Sequence, residues 1–169
     1  MSTLDALSIL IIEDDEMVSK TLVKLTQKRP NTAITAAMNG KEAIQSIKSV
    51  AYDLIFLDLG LPDMNGVEIL KTALNDPESK SAKAMIVVMT GMPSVETAVE
   101  CMKQGAFNFL AKPIDMKKVN EILELAGGRH CSFTGEVQAL HEQIEALQRS
   151  IAEKDEEIQR LQKELKKRK

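Results

Sequence analysis

Four short stretches of this chain end in residues that can do charge chemistry together. The acidic run EDDE occupies Glu13–Glu16, Asp58 follows the apolar run DLIFL, Thr90 closes AMIVVM, and Lys112 lies two residues beyond Leu110. Gathered in one place, the carboxylates of Glu13, Asp14 and Asp58 repel one another, and a cation or protonation has to neutralise them. An all-oxygen donor set favours Mg2+ or a similar hard ion. Mg2+ keeps several waters and shares its shell with phosphate oxygens, so a few protein ligands suffice. The Thr90 hydroxyl and the Lys112 ammonium complete what a phosphoryl group in transfer requires. They offset and orient its charge and leave a carboxylate oxygen as nucleophile. For any one of these acids alone, a solvated turn is the plainer account; the set in register is what points to chemistry.

Short apolar runs alternating with longer amphipathic stretches would gather these residues. Strands are expected at Ser8–Ile12, Thr32–Ala36, Asp53–Leu57, Ala84–Met89 and Ala106–Leu110. Helices are expected at Glu16–Arg29, Gly40–Val50, Asn65–Leu74, Ser94–Lys103 and Asp115–Leu125. The first helix would bury Met17, Leu22 and Leu25, and the second Ala43, Ile44 and Ile47. Asp15 and Asp115 suit helix caps. Met64, Met85, Met89, Met92, Met102 and Met116 suit core or half-buried filling. Five βα units in strict alternation imply a doubly wound α/β fold, a parallel sheet with helices on both faces and right-handed crossovers. Such sheets bind ligands at the carboxyl ends of their strands. Each residue singled out above comes just after a strand.

The first unit is read as residues 1–126 and a linker as 127–135, beginning at the pair Gly127–Gly128. From residue 136 to 169 there is no Gly and no Pro. Apolar residues recur there at Val137, Leu140, Ile144, Leu147, Ile151, Ile158, Leu161 and Leu165, with Lys154 in one slot. Alternating steps of three and four make a coiled-coil seam of about four heptads, about 45 Å long if helical throughout. The alternative, one amphipathic helix folded back on the first unit, would want a wider apolar stripe. β-branched residues at a with Leu at d favour a parallel homodimer. The acidic first half and basic second half of the segment would also suit an antiparallel pair. His141 flanks the seam, His130 and Cys131 have too few companions for a metal site, and Lys166–Lys169 suits a solvated helix end.

Composition narrows the function classes. Of 169 residues, 44% are hydrophobic and 28% charged, which fits a folded core. A net charge of -3, no Trp and only 3% aromatics argue against nucleic-acid binding. No apolar run approaches the roughly 20 residues of a membrane span. Cys101 and Cys131 stand far apart, as suits a reducing cytoplasm.

Residues 8–125 resemble the receiver domain of bacterial two-component response regulators. ILIIEDDE is similar to that family's acidic strand end, DLIFLDLGLPDMNG to its phospho-acceptor strand and loop, VVMTG to its switch hydroxyl, and FLAKP to its lysine–proline turn. The four occur in order at family spacing. The resemblance implies a flavodoxin-like sheet of order 2-1-3-4-5, an order that belongs to the family and is not a consequence of strand spacing. It implies Asp58 as phospho-acceptor, and a Mg2+ held by Asp14, by Glu13 through water, by Asp58 and by the Gly60 backbone carbonyl. Lys112 would contact the phosphoryl group, followed by a cis Lys112–Pro113 bond. Thr90 would be the switch hydroxyl and Phe109 the ring that reorients with it. Gly60 departs from the larger side chain often found there, which would leave the acyl phosphate more open to water. The implied donor is a sensor histidine kinase or a phosphotransfer protein, and the only chemistry is self-phosphorylation and self-dephosphorylation.

Two outputs fit the sequence. In one, the dimeric coil itself signals to a downstream protein. In the other, the coil leads to an enzymatic or DNA-binding domain of a longer protein. A receiver that never accepts phosphate is a third reading, and the complete residue set argues against it.

Overall fold

A computed structural model of the chain describes residues 6–128. The coiled-coil seam from Val137 to Leu165, together with His130, Cys131 and the basic end, lies outside the described residues. Elements alternate as β1 (Leu7–Ile12), α1 (Glu16–Thr26), β2 (Thr32–Ala37), α2 (Gly40–Ser49), β3 (Leu54–Asp58), α3 (Gly66–Asn75), β4 (Met85–Thr90), α4 (Val95–Lys103), β5 (Asn108–Ala111) and α5 (Met116–Gly128). The strands form one parallel sheet of order β2-β1-β3-β4-β5. The expected elements are all present, with ends shifted by a few residues.

Period-two alternation divides the core into two layers. Leu10, Ile12, Ile55, Leu57, Ile86 and Val88 face one side and pack on Ala43 and Ile47 of α2, on Ile69 and Leu70 of α3 and on Cys101 of α4. Ile9, Ile11, Leu54, Phe56, Val87 and Met89 face the other side and pack on Leu22 of α1 and on Val119, Ile122 and Leu123 of α5. β3 and β4 are buried on both faces, so they read as unbroken apolar runs. The edge strand β2 is half exposed.

Side-chain oxygens close the helix starts. Asp15 accepts from Met17 N and Val18 N, Asn65 from Val67 N, Ser94 from Thr97 N, and Asp115 from Lys117 N. The Lys112–Pro113 bond is cis.

Three expectations change. Met17 is 78% exposed. It precedes Leu22 by five residues, which places it well off the buried face, now built from Ser19, Leu22 and Thr26. Met92 and Met102 are exposed as well, while Met85 and Met89 are buried by the sheet. Finally, α5 runs on through Gly127 and Gly128. A Cβ at Gly127 would lie 2.7 Å from Nη1 of Arg29, whose guanidinium donates to the Leu123 carbonyl and pairs with Glu124 at 2.9 Å. Gly127 thus lies against the guanidinium of Arg29, three residues beyond α1, and a side chain there would displace that flexible end.

Candidate functional site

Strand register brings the charged residues together. Ile12 pairs with Leu57, Asp58 with Met89, and Thr90 with Ala111. The next residues along, Glu13 and Asp14 after β1 and Lys112 after β5, therefore share the carboxyl edge of the sheet with Asp58 and Thr90. Glu13 and Asp58 are buried, while Asp14, one residue further beyond the end of β1, is exposed. One carboxylate oxygen from each of Glu13, Asp14 and Asp58 lies within 4.8 Å of the others.

Lys112 Nζ donates to Glu13 Oε1 and to Asp58 Oδ2, both at 2.7 Å. Asp58 Oδ1 accepts from Gly60 N at 3.0 Å, and Glu13 Oε1 also accepts from Asp15 N at 3.3 Å. Glu13 Oε2 is buried with no hydrogen-bond partner. Burial pushes the Glu13 carboxyl above its ordinary range, and the Asp58 charge adds to this against the pull of Lys112. For Lys112, burial disfavours the charge, but the bonds to Asp58 and Glu13 outweigh it and hold the ammonium above its usual value.

This donor set fits a hard cation. Its ligand atoms are oxygens, the one ammonium bonds two of the three carboxylates, and a buried carboxylate oxygen is left without a partner, an arrangement that is costly unless something binds it.

Thr90 is buried at the end of β4, and its Oγ1 accepts from Met92 N at 3.1 Å. Phe109 on β5 is half-buried against the layer that contains Cys101 of α4. The loop from Leu59 to Asn65 leaves Asp58 and returns tightly. At Gly66 a Cβ would lie 2.6 Å from Leu59 Cα and 2.7 Å from the Asp58 carbonyl oxygen. Only glycine permits that approach. Asp63 in this loop accepts from Gly40 N at 2.7 Å and from Lys41 N at 3.1 Å. Sequence reasoning singled out neither residue 63 nor its partners, since their contact spans 23 positions and follows no local pattern.

The family model described as response regulator receiver domain matches residues 9–124. The transcriptional regulatory protein ZraR of Escherichia coli K12 is 28% identical over 138 residues, 82% of this chain and 30% of its own length. The regulatory protein AtoC of the same organism is 28% identical over 136 residues, 80% of this chain and 28% of its own. The chain thus spans less than a third of these relatives. Among solved structures, the receiver domain of a LuxO-like repressor from Vibrio parahaemolyticus is 27% identical with a TM-score of 0.66, covering 81% of this chain and 98% of that one. A response regulator from Burkholderia pseudomallei, with a phosphorylated aspartic acid, calcium ion and citrate, is 27% identical with a TM-score of 0.60, covering 88% and 85%.

Proposed function

The chain belongs to the response regulator receiver family, and from that premise we propose that it accepts a phosphoryl group on Asp58 from a histidine kinase or phosphotransfer protein. The observation that carries this reading is the convergence of Lys112 on Asp58 and Glu13 at 2.7 Å each. An Asp58 oxygen attacks the phosphorus of a phosphohistidine. The new O–P bond forms as the N–P bond breaks, and the imidazole nitrogen leaves with the electron pair. Lys112 turns its ammonium to the incoming phosphoryl oxygens and offsets their charge. Glu13, Asp14, Asp58 and the Gly60 carbonyl are the groups that would hold Mg2+, which when bound neutralises charge on the transferring group. The Burkholderia relative carries a phosphorylated aspartic acid, the modification expected here, and its structure also holds a divalent cation, calcium.

Thr90 and Phe109 then shift toward the phosphoryl group and alter the face formed by α4. The signal leaves through a parallel dimeric coil over residues 136–169. Mass spectrometry after acetyl phosphate treatment tests the acceptor. Wild type gains one phosphoryl group and Asp58→Ala gains none; equal labelling of both would refute the site. Light scattering tests the coil, and a monomer at every concentration would defeat it.

A second reading rests on length. Because ZraR and AtoC are more than three times as long as the matched segment, residues 136–169 would lead to an output domain of a longer protein. The mass of the endogenous polypeptide decides between them.

A further inference from the structure

The loop that follows Asp58 is pinned again five residues on, at Asp63. Asp63 Oδ1 accepts from Gly40 N at 2.7 Å and Oδ2 from Lys41 N at 3.1 Å, so one carboxylate takes the first two free amides of α2. Asn39 satisfies the next, accepting from Glu42 N at 2.9 Å, and Glu42 reaches back to Met38 N. The helix start is therefore complete only with a residue supplied by another loop. Steric fit supports the contact independently. A Cβ at Gly40 would lie 2.6 Å from Met64 Cβ and 3.2 Å from Asp63 Oδ1, so the loop approaches α2 where a side chain is absent. The Gly40 amide holds the Asp63 carboxyl below the usual carboxylate range.

We infer that Asp63 is a positioning residue for the metal and phosphoryl site, clasping the acceptor loop to α2 so that Gly60 is held beside Asp58. The inference rests on the proposed function, in which the Gly60 carbonyl is a ligand. Gly60 is held by the end of β3, by its own N–H bonded to Asp58 Oδ1 and by the adjacent Leu61, buried in the core, and the Asp63 clasp is a further fixed point on the loop. Releasing one point lets the carbonyl wander, and a loosely held ligand binds a cation less well.

The variant Asp63→Asn keeps size and removes one acceptor, because the amide nitrogen cannot receive a backbone N–H. Asp63 is exposed, so the fold is expected to persist. Mg2+ affinity is measured by calorimetry, and acetyl phosphate labelling of Asp58 is followed against Mg2+ concentration. The expected result is a Mg2+ affinity lower by roughly tenfold, the lower end for loss of an outer support. The labelling rate at saturating Mg2+ stays close to wild type. A merely structural role would lower that maximal rate or the stability and leave the Mg2+ midpoint in place. Hydrogen exchange in metal-free protein supplies a second readout: the Gly40, Lys41 and Gly60 amides should all exchange faster. Gly40→Ala attacks the same clasp from the α2 side and should raise the Mg2+ midpoint in the same direction. Wild-type affinity in both variants, with Gly60 exchange unchanged, would overturn the positioning role alone. A wild-type protein that binds no Mg2+ would overturn the proposed function, and the metal role of Asp63 with it.

Discussion

Replacing Lys112 with methionine isolates the electrostatics of the site. The ammonium bonds Glu13 and Asp58, whose side chains are 0% and 5% exposed. Methionine keeps most of the volume and leaves both carboxylates facing each other without a counter-charge. Removing one partner of a fully buried ion pair costs about 3–5 kcal/mol. Lys112 is itself 21% exposed and Asp14 opens the pocket to water, so the expected loss is smaller, about 2 kcal/mol. For a unit of this size a loss of 1 kcal/mol lowers Tm by about 4 °C, so metal-free protein should melt about 8 °C lower. Mg2+ should then stabilise the variant more than wild type, because cation and ammonium compete for the same oxygens. At a hundredfold excess over its Kd the ion contributes about 2.7 kcal/mol to either protein. At a fixed concentration, the tighter-binding variant gains more. Thermal melts with and without Mg2+, run beside acetyl phosphate labelling, measure all three quantities. Labelling should slow by about a hundredfold or more, the usual loss when one transition-state donor is removed. Equal metal-free Tm values would show that the carboxylates do not depend on Lys112, and equal Mg2+ gains would show that lysine and cation do not share a site.

Gly66→Ala should destabilise the chain by about 1–3 kcal/mol in urea titration, since its Cβ meets backbone atoms of Asp58 and Leu59 that cannot yield cheaply. A neutral effect would mean the acceptor loop tolerates displacement. Gly60→Met should lengthen the life of the acyl phosphate several-fold. A side chain there starts 3.6 Å from Asp58 Oδ1 and would shield it from water, and decay of labelled protein at the wild-type rate would refute that account.

Much of the fold was legible because its signals are local. β3 and β4, buried on both faces, stand out as apolar runs, and Asp15 and Asp115 are cap residues ahead of amphipathic stretches. Met17 misled because apolarity near a helix start says nothing of the face until the phase is set by Leu22. Gly127 misled because the group packed against it, the Arg29 guanidinium, belongs to a residue nearly a hundred positions earlier.

The site divides the same way. Residue type and position after each strand were enough, by themselves, to mark Glu13, Asp14, Asp58, Thr90 and Lys112, since a parallel sheet must deliver its strand ends to one edge. Only the tertiary structure decided how they are arranged there. Glu13 is buried and Asp14 exposed. Lys112 reaches past β4 to join β1 and β3, and one Glu13 oxygen is left without a partner. The bond from Asp63 to the start of α2 has no trace in sequence spacing, because it depends on two loops brought together by the packing of α2 on α3. Periodicity specifies elements, whereas distances between loops follow from the packing of the whole sheet.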